Sequence, residues 1–305
     1  MSAHDYIQAN TDGRLHDARE PSLSVLNRGF LYGDAVYEVW RSYDGVVFAW
    51  QEHLDRLARS ATALYFPTLA PASFWWSEIT KTVQAYRKYT GLVGDLYIRL
   101  QITRGHGAIG LDPALASETS FVIVVKPVLV LTAAQMANGI KLSVARDLRR
   151  NIPEALNPAW KTGNYLNNIL CLREALSRGA DEVLITNLAG EITEAAVSNV
   201  AFVRDGEIVT PPLSAGMLEG ITRHRMIASI AADIGVKVRE DGVRPEDLGS
   251  MQECFLLSTN RDMQPVGAID EHRYQVGPDT VTARLKQAFQ AFAASYTEAH
   301  PELKL

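Results

Sequence analysis

The stretch "DEVLITNLAGEITEAAVSNVAFVRDGEIVTP", residues 181–211, decides the fold. Its apolar runs "DEVLITN", "EIT" and "NVAFVRDGEIVTP" read as short strands. Turn chemistry separates them, at Leu188–Gly190 and at Asp205-Gly206. An Asp-Gly pair between two apolar runs is a tight hairpin signal, because both residues tolerate positive φ. Towards the C-terminus, "GITRHRMIASIAADIG" (220–235) has helical periodicity and ends on Gly235, a helix-closing residue. "VKVRE" and "ECFLLSTN" read as further strands, and "DTVTARLKQAFQAFAASY" as a closing helix. Towards the N-terminus, "KLSVARD" reads as a strand, and "NPAWKTGNYLNNILCLREALSRG" (157–179) as a loop leading into an amphipathic helix that Gly179 closes.

The first half mixes the two periodicities differently. "VVFAW" (46–50) reads as a short strand after a turn at Asp44-Gly45. In "QEHLDRLARSATAL" (51–64), Leu54, Leu57, Ala58 and Ala61 share one helical face. A second helix is expected over 73–90, ending before Gly91. "DLYIRLQITRG" (95–105) alternates with period two: Leu96, Ile98, Leu100 and Ile102 on one side, Tyr97, Arg99, Gln101 and Thr103 on the other. "TSFVIVVKP" (119–127) reads as an apolar strand. A Pro-containing, low-charge stretch from about 127 to 139 is the candidate linker. The expected division is therefore a small domain over 1–126, a linker over 127–138 and a larger domain over 139–305. Strands and helices mix without strict βαβ alternation, which predicts an α+β first domain and a β-rich second domain carrying helices.

Composition sets the outer limits. The chain has 305 residues, 47% hydrophobic and 21% charged, enough for a sizeable core. A net charge of −5 argues against a nucleic-acid partner, whose footprint is a basic excess. The two cysteines, Cys171 and Cys254, make no disulfide framework and fit a reducing compartment. The first residues lack the apolar run of a signal peptide, and the most apolar segment, "FVIVVKPVLVL" from Phe121, is broken by Lys126 and Pro127. The expectation is a cytoplasmic chain without a membrane partner. Seven histidines show no HExxH pattern and the cysteines no paired spacing, so no metal site is expected; GxSxG and the nucleotide-binding glycine motifs are missing too.

Several residues could carry chemistry, and each has a plainer reading. Lys161 reads alone as a solvated loop charge. Gly220, Ile221 and Thr222 open a helix, where free N–H groups attract an anion, although Thr222 could simply cap it. Glu194 lies beside Ala195 and Ala196, which leave room for a flat ring; alone it reads as a surface glutamate at a strand end, and Glu191 as an exposed turn residue. Arg56 reads alone as an exposed arginine paired with Glu52 or Asp55. Arg99, in an alternating apolar strand, must face solvent, a partner or a ligand. Together they supply an amine, a carboxylate, an anion site and two arginines. Those are the parts a pyridoxal phosphate enzyme needs.

The motifs "RGFLYGDAVYE" (28–38), "EHLDRL" (52–57), "KTGNYLNN" (161–168), "GEITEAAVSN" (190–199), "TPPL…LEGITR" (210–223) and "STNRDMQPV" (258–266) resemble, in order and across almost the whole chain, the class IV (fold type IV) pyridoxal phosphate aminotransferases. The resemblance implies a smaller α/β N-terminal domain and a larger, β-barrel-like C-terminal domain with helices. It implies that Lys161 forms the cofactor Schiff base and then moves the Cα proton. It gives Tyr165 the cofactor's phenolic oxygen, Glu194 the pyridine nitrogen, and Arg56, Ile221, Thr222 and Thr259 the phosphate. It also implies a homodimer, or a larger assembly built of dimers.

The substrate is less sharply implied. "LYIRL" resembles the Tyr-x-Arg strand of branched-chain aminotransferases, and Tyr32, Tyr37, Tyr97 and Arg99 resemble their pocket residues. The "GAIGLDP" loop (107–113) resembles their pocket-closing loop. D-amino-acid transaminases carry an Arg-x-His clamp where Ile109 and Leu111 stand here. Two departures complicate this. "GDAVYEV" is more similar to the D-amino-acid group, with Val39 where branched-chain enzymes usually have glycine, and Asn260 and Arg261 replace small residues. Arg261 could anchor a carboxylate or be a solvated loop charge. The leading expectation is transfer of an amino group from a branched-chain or other apolar L-amino acid to 2-oxoglutarate. D-amino-acid or (R)-amine transamination is the alternative, followed by an aminodeoxychorismate lyase and a non-catalytic binding protein on the same fold.

Overall fold

The computed structural model describes residues 5–116, 118–129 and 131–305. The chain divides into two compact units. One holds the residues up to Leu129 together with Trp160–Asn164 and Tyr296–Leu305; the other holds the stretch ending at Ala159 and Tyr165–Ser295.

The first unit is built on strands β1 (Gln8–Thr11), β2 (Arg14–Asp17), β3 (Ala35–Tyr43), β4 (Val46–Val47), β5 (Leu96–Thr103) and β6 (Ser120–Pro127), with helices α1 (Arg28–Tyr32), α2 (Trp50–Ala63) and α3 (Ala72–Thr90). The sheet order is β2-β1-β6-β5-β3-β4 and all neighbours are antiparallel. The alternation seen in β5 sorts its faces. Leu96, Ile98, Leu100 and Ile102 are buried with Trp40, Leu57, Trp75, Ile79 and Val83, the core formed with α2 and α3. The 46–50 strand expectation is corrected: β4 stops at Val47, and Trp50 already begins α2. Ala49 takes a positive φ of 54°, which turns the chain from strand to helix within two residues. Segment 160–164 joins this unit through β3, with Tyr37 N donating to Lys161 O (3.1 Å) and Gly163 N to Ala35 O (2.8 Å).

The second unit starts with α4 (Ala133–Asn138), inside the stretch expected to be a bare linker. Thr132 caps it, with Gln135 completing a reciprocal capping pair, a signal that a low-charge composition conceals. Then follow β7 (Ile140–Val144), α5 (Pro153–Leu156), α6 (Leu166–Ser177), β8 (Glu182–Thr186), β9 (Ile192–Ala195), β10 (Asn199–Arg204) and β11 (Glu207–Thr210). Helix α7 (Ile221–Arg225) runs through a π turn, Met226–Ile230, into α8 (Ala231–Asp233). After it come β12 (Val238–Glu240), β13 (Glu253–Ser258), β14 (Asp262–Ile269), β15 (His272–Arg273) and α9 (Val281–Ala299).

The sheet runs β12-β11-β10-β13-β14-β7-β8-β9, with β15 on β14. The curled sheet brings β9 back against β10. Asp205 and Gly206 both have positive φ, 54° and 76°, as the hairpin turn between β10 and β11 requires. Parallel β7/β8 and β11/β12 pairs each need a crossover, and α6 and the 221–233 helix supply them. The mixed architecture is the α+β class read from the sequence.

Candidate active site

In the first unit, one face of β3 and β5 gathers four of the residues singled out above. The register sets Val39 opposite Arg99, Tyr37 opposite Gln101 and Arg41 opposite Tyr97, so all share the face turned away from α2 and α3. The Arg99 guanidinium carbon lies 3.8 Å from the Tyr37 ring centre, and Arg99 Nη2 donates to Gln101 Oε1 at 2.7 Å. Lys161 Nζ lies 4.6 Å from the same ring. Its backbone is fixed from two sides, by Ser60 Oγ accepting from Lys161 N (3.1 Å) and by the bond to Tyr37. Lys161 is therefore half-buried beside an aromatic face and is not a solvated loop charge. Tyr32 lies elsewhere in the unit, at the end of α1: its hydroxyl accepts from Gly110 N, and Arg28 covers its ring while donating to Gly110 O and Leu111 O.

Arg56 departs from its plain reading as an exposed arginine. It is buried, and Nε and Nη2 reach the two oxygens of Glu38 at 2.7 and 2.8 Å. His53 Nδ1 lies 2.7 Å from Glu38 Oε2. Glu38 is wholly buried because β3 alternation turns Val36, Glu38 and Trp40 towards the helices. Burial alone would raise its pKa, but the Arg56 charge, its hydrogen bonds and His53 offset this and hold the carboxyl well below its ordinary value. His53 is pushed away from protonation: burial lowers it most, the Arg56 and Lys161 charges lower it further, and Glu38 only partly compensates. A neutral ring donating from Nδ1 to Glu38 leaves Nε2 as a buried acceptor without a partner among the described residues.

In the second unit, Glu194 is buried on β9, paired with Ile185 of β8. Oε1 accepts from Arg150 Nε (3.1 Å) and Nη2 (2.9 Å); Oε2 accepts from Asn199 Nδ2 and Leu218 N, both 3.3 Å. This is not a surface glutamate. Glu191 is only half-buried and is tied to Asn187 within the β8–β9 turn. Next to Glu194 in the fold, Gly220 precedes the first turn of α7. A Cβ there would lie 2.0 Å from Asn199 Oδ1, so only glycine lets the helix start this close to β10. Gly220 offers no side chain to cap the helix, and Thr222 is buried just inside it. Thr259 and Asn260 follow β13, whose Leu257 pairs with Asn199, which puts them and Ser198 at one end of the sheet. Ser198 Oγ and Asn260 Oδ1 are buried there with no hydrogen-bond partner among the described residues. An uncapped helix start, orphaned polar atoms and a fixed carboxylate fit a ligand carrying both an anion and a basic ring nitrogen.

One expectation ends differently. Arg261 is not a solvated charge: it reaches Glu182 Oε2 and Gln264 Oε1, both at 3.1 Å. Glu182 is buried, and burial raises its carboxyl against the opposing pull of Arg261. A substrate carboxylate would have to compete with that buried partner. Tyr165 stands at the N-cap position of α6, half-buried. Three residues escape the sequence reading: Glu38, His53 as its partner, and Arg150. For Glu38 a signal is available, since alternation in "AVYEVW" puts a charge on a core face and so demands a buried cation.

Three comparisons bear on this arrangement. The profile of the family described as amino-transferase class IV matches residues 35–269. The branched-chain-amino-acid aminotransferase of Escherichia coli (strain K12) is 31% identical over 303 residues, covering 96% of this chain and 94% of its own. The D-alanine aminotransferase of Staphylococcus epidermidis is 30% identical over 296 residues, covering 94% of this chain and 98% of its own. Among solved structures, an aminotransferase from Brucella abortus bound to the cofactor PLP superposes with a TM-score of 0.80 at 26% identity, covering 95% of this chain and 99% of its own.

Proposed function

We propose that this chain, which belongs to the class IV aminotransferase family, is a pyridoxal phosphate-dependent transaminase that exchanges an amino group between a branched-chain or other apolar L-amino acid and 2-oxoglutarate. The observation that carries the substrate assignment is the β3/β5 face. There, buried Val39 and the Tyr37 ring offer an apolar wall, and Arg99 offers a guanidinium against the Tyr37 ring that Lys161 also approaches. An aliphatic side chain packs on the former; the second carboxylate of 2-oxoglutarate pairs with the latter.

When bound, pyridoxal phosphate supplies an aldehyde that condenses with amines and a ring that withdraws electrons from the carbon losing its proton. The chain supplies the rest. As the family resemblance implies, Lys161 would hold the cofactor through its amine and serve as the base for the substrate's Cα proton. Glu194 would keep the ring nitrogen protonated by opposite charge. Arg56, the first-turn amides of Ile221 and Thr222, and Thr259 would hold the phosphate. Tyr165 would donate to the ring oxygen. Glu38 occupies the Nε and Nη2 edge of Arg56, so it fixes the direction in which the guanidinium meets an anion.

A second reading has its own support. Val39 narrows the face, and a D-alanine aminotransferase is among the relatives. A donor panel separates the two. Loss of visible cofactor absorbance is followed on adding L-leucine, D-alanine or (R)-1-phenylethylamine in single turnover. The proposal expects L-leucine to react at least about tenfold faster, a margin of roughly 1.4 kcal/mol in barrier. Faster reaction of D-alanine or the (R)-amine would replace it with the second reading.

A further inference from the structure

Glu194 does not stand alone, and what surrounds it assigns work to a residue outside the recognised motifs. We propose that Arg150 is a positioning residue that keeps the proton on the cofactor's ring nitrogen by fixing the charge and orientation of Glu194. The inference rests on the pyridoxal phosphate reading above.

Arg150 lies past the end of β7, where its backbone N donates to Thr186 O of β8 at 2.8 Å. Its side chain is nine-tenths buried. All three of its nitrogens are engaged: Nε and Nη2 on Glu194 Oε1, and Nη1 on Asn168 Oδ1 at 3.1 Å. Asn168, buried on α6, donates in turn to Ala196 O at 2.7 Å, two residues beyond Glu194. The ring of contacts closes on itself, so the guanidinium cannot swing away without breaking bonds to two other segments. The opposite oxygen of Glu194 is held by Asn199 and Leu218.

The chemistry follows from charge. A buried carboxylate without a cation has a raised proton affinity. Facing a pyridine nitrogen, it would take the shared proton and leave the ring neutral, a poorer electron sink. With Arg150 at its other oxygen, the carboxylate is a weaker base, and the proton stays on the ring. Arg150 touches neither substrate nor the reacting carbon in this scheme; it acts through Glu194.

The test uses holoenzyme loaded with cofactor labelled with ¹⁵N in the ring. Wild type and Arg150→Lys give the shift of a protonated ring nitrogen. Arg150→Met gives an unprotonated one, and its half-reaction with amino donor slows by roughly 10–100-fold, the usual range for a residue that supports a ligand from behind. Donor affinity stays within a factor of about three. In a Glu194→Gln background, Arg150→Met changes the rate by less than about threefold, because the group it acts through is gone. Thermal melts accompany each variant, and Arg150→Gln, which keeps a donor without the charge, carries the same prediction where Arg150→Met does not fold. A protonated ring with wild-type rate in Arg150→Met, or an equal loss in both backgrounds, overturns the role of Arg150. Absence of a borohydride-stable cofactor adduct in wild type would instead overturn the reading of the site itself.

Discussion

At the scale of single residues, the buried Glu38–Arg56–His53 cluster makes a pH-dependent contribution to stability whose sign can be worked out. Glu38 is depressed in the folded chain, so its contribution is complete above its ordinary pKa of 4.5 and is lost as pH falls below it. His53 is depressed too; the unfolded ring binds a proton below its ordinary 6.5 while the folded ring resists it, so stability again falls with acidification. Melting temperature should therefore decline as pH drops from about 6.5, steepening below about 4.5. Glu38→Gln strands Arg56 and should cost about 3–5 kcal/mol in denaturant unfolding, with a flatter acid limb. An unchanged midpoint would mean that Arg56 finds another partner. Glu194→Gln strands the buried Arg150 and should likewise cost about 3–5 kcal/mol, while slowing the half-reaction on the order of 100-fold, as loss of a group that stabilises developing charge does. Lys161, Glu194 and Arg56 are legible only jointly: each alone reads as a solvated charge, and their order along the chain makes them a set. Arg150 is not legible, because "DLRRN" carries no periodicity that sets one arginine inward.

Among elements, long periodic segments match their sequence expectation, as do the short strands β8 to β13, while the end of β4 and helix α4 depart from it. Helices α2 and α3 and strand β5 follow their 3.6- and 2-residue patterns within a residue or two. Strand β4 is shorter than its apolar run, since Trp50 and Phe48 are buried as core residues whether in helix or strand. Helix α4 escapes the pattern because its six residues are too few to establish a period. The glycines allow a clean contrast. Gly220→Ala drives a methyl into Asn199 Oδ1, on the side chain that holds Glu194, and should cost about 1–3 kcal/mol and weaken cofactor binding. Gly206→Ala meets nothing within 4 Å but sits at φ 76°, so it should cost about 1 kcal/mol and leave cofactor titration unchanged. Equal cofactor affinity in the two variants would detach the start of α7 from the site.

For the whole molecule, the family and the α+β class are readable from the sequence because its motifs fall in order along the chain. A dimeric assembly is an expectation that only the resemblance supplies. Arg28 ties α1 to the loop at Gly110 and Leu111, and this region exposes Val25, Phe30, Ile109 and Leu111, each more than 70% accessible. Exposed apolar side chains gathered in one region suit a protein contact. We propose that a second copy covers it, giving a dimer of about twice the 33.6 kDa chain in sedimentation equilibrium. Phe30→Glu should shift the population towards monomer, and a chain that sediments as monomer before mutation would remove this proposal. No described helix is long and apolar enough to cross a membrane.

The most direct test concerns the amine. Holoenzyme is reduced with borohydride, digested and mapped by mass spectrometry, alongside Lys161→Ala carried through cofactor loading and transamination. The account predicts one reduced cofactor adduct, on the peptide containing Lys161, with visible absorbance and transamination both lost in Lys161→Ala. An adduct on another lysine, or a Lys161→Ala protein that transaminates like wild type, would contradict it.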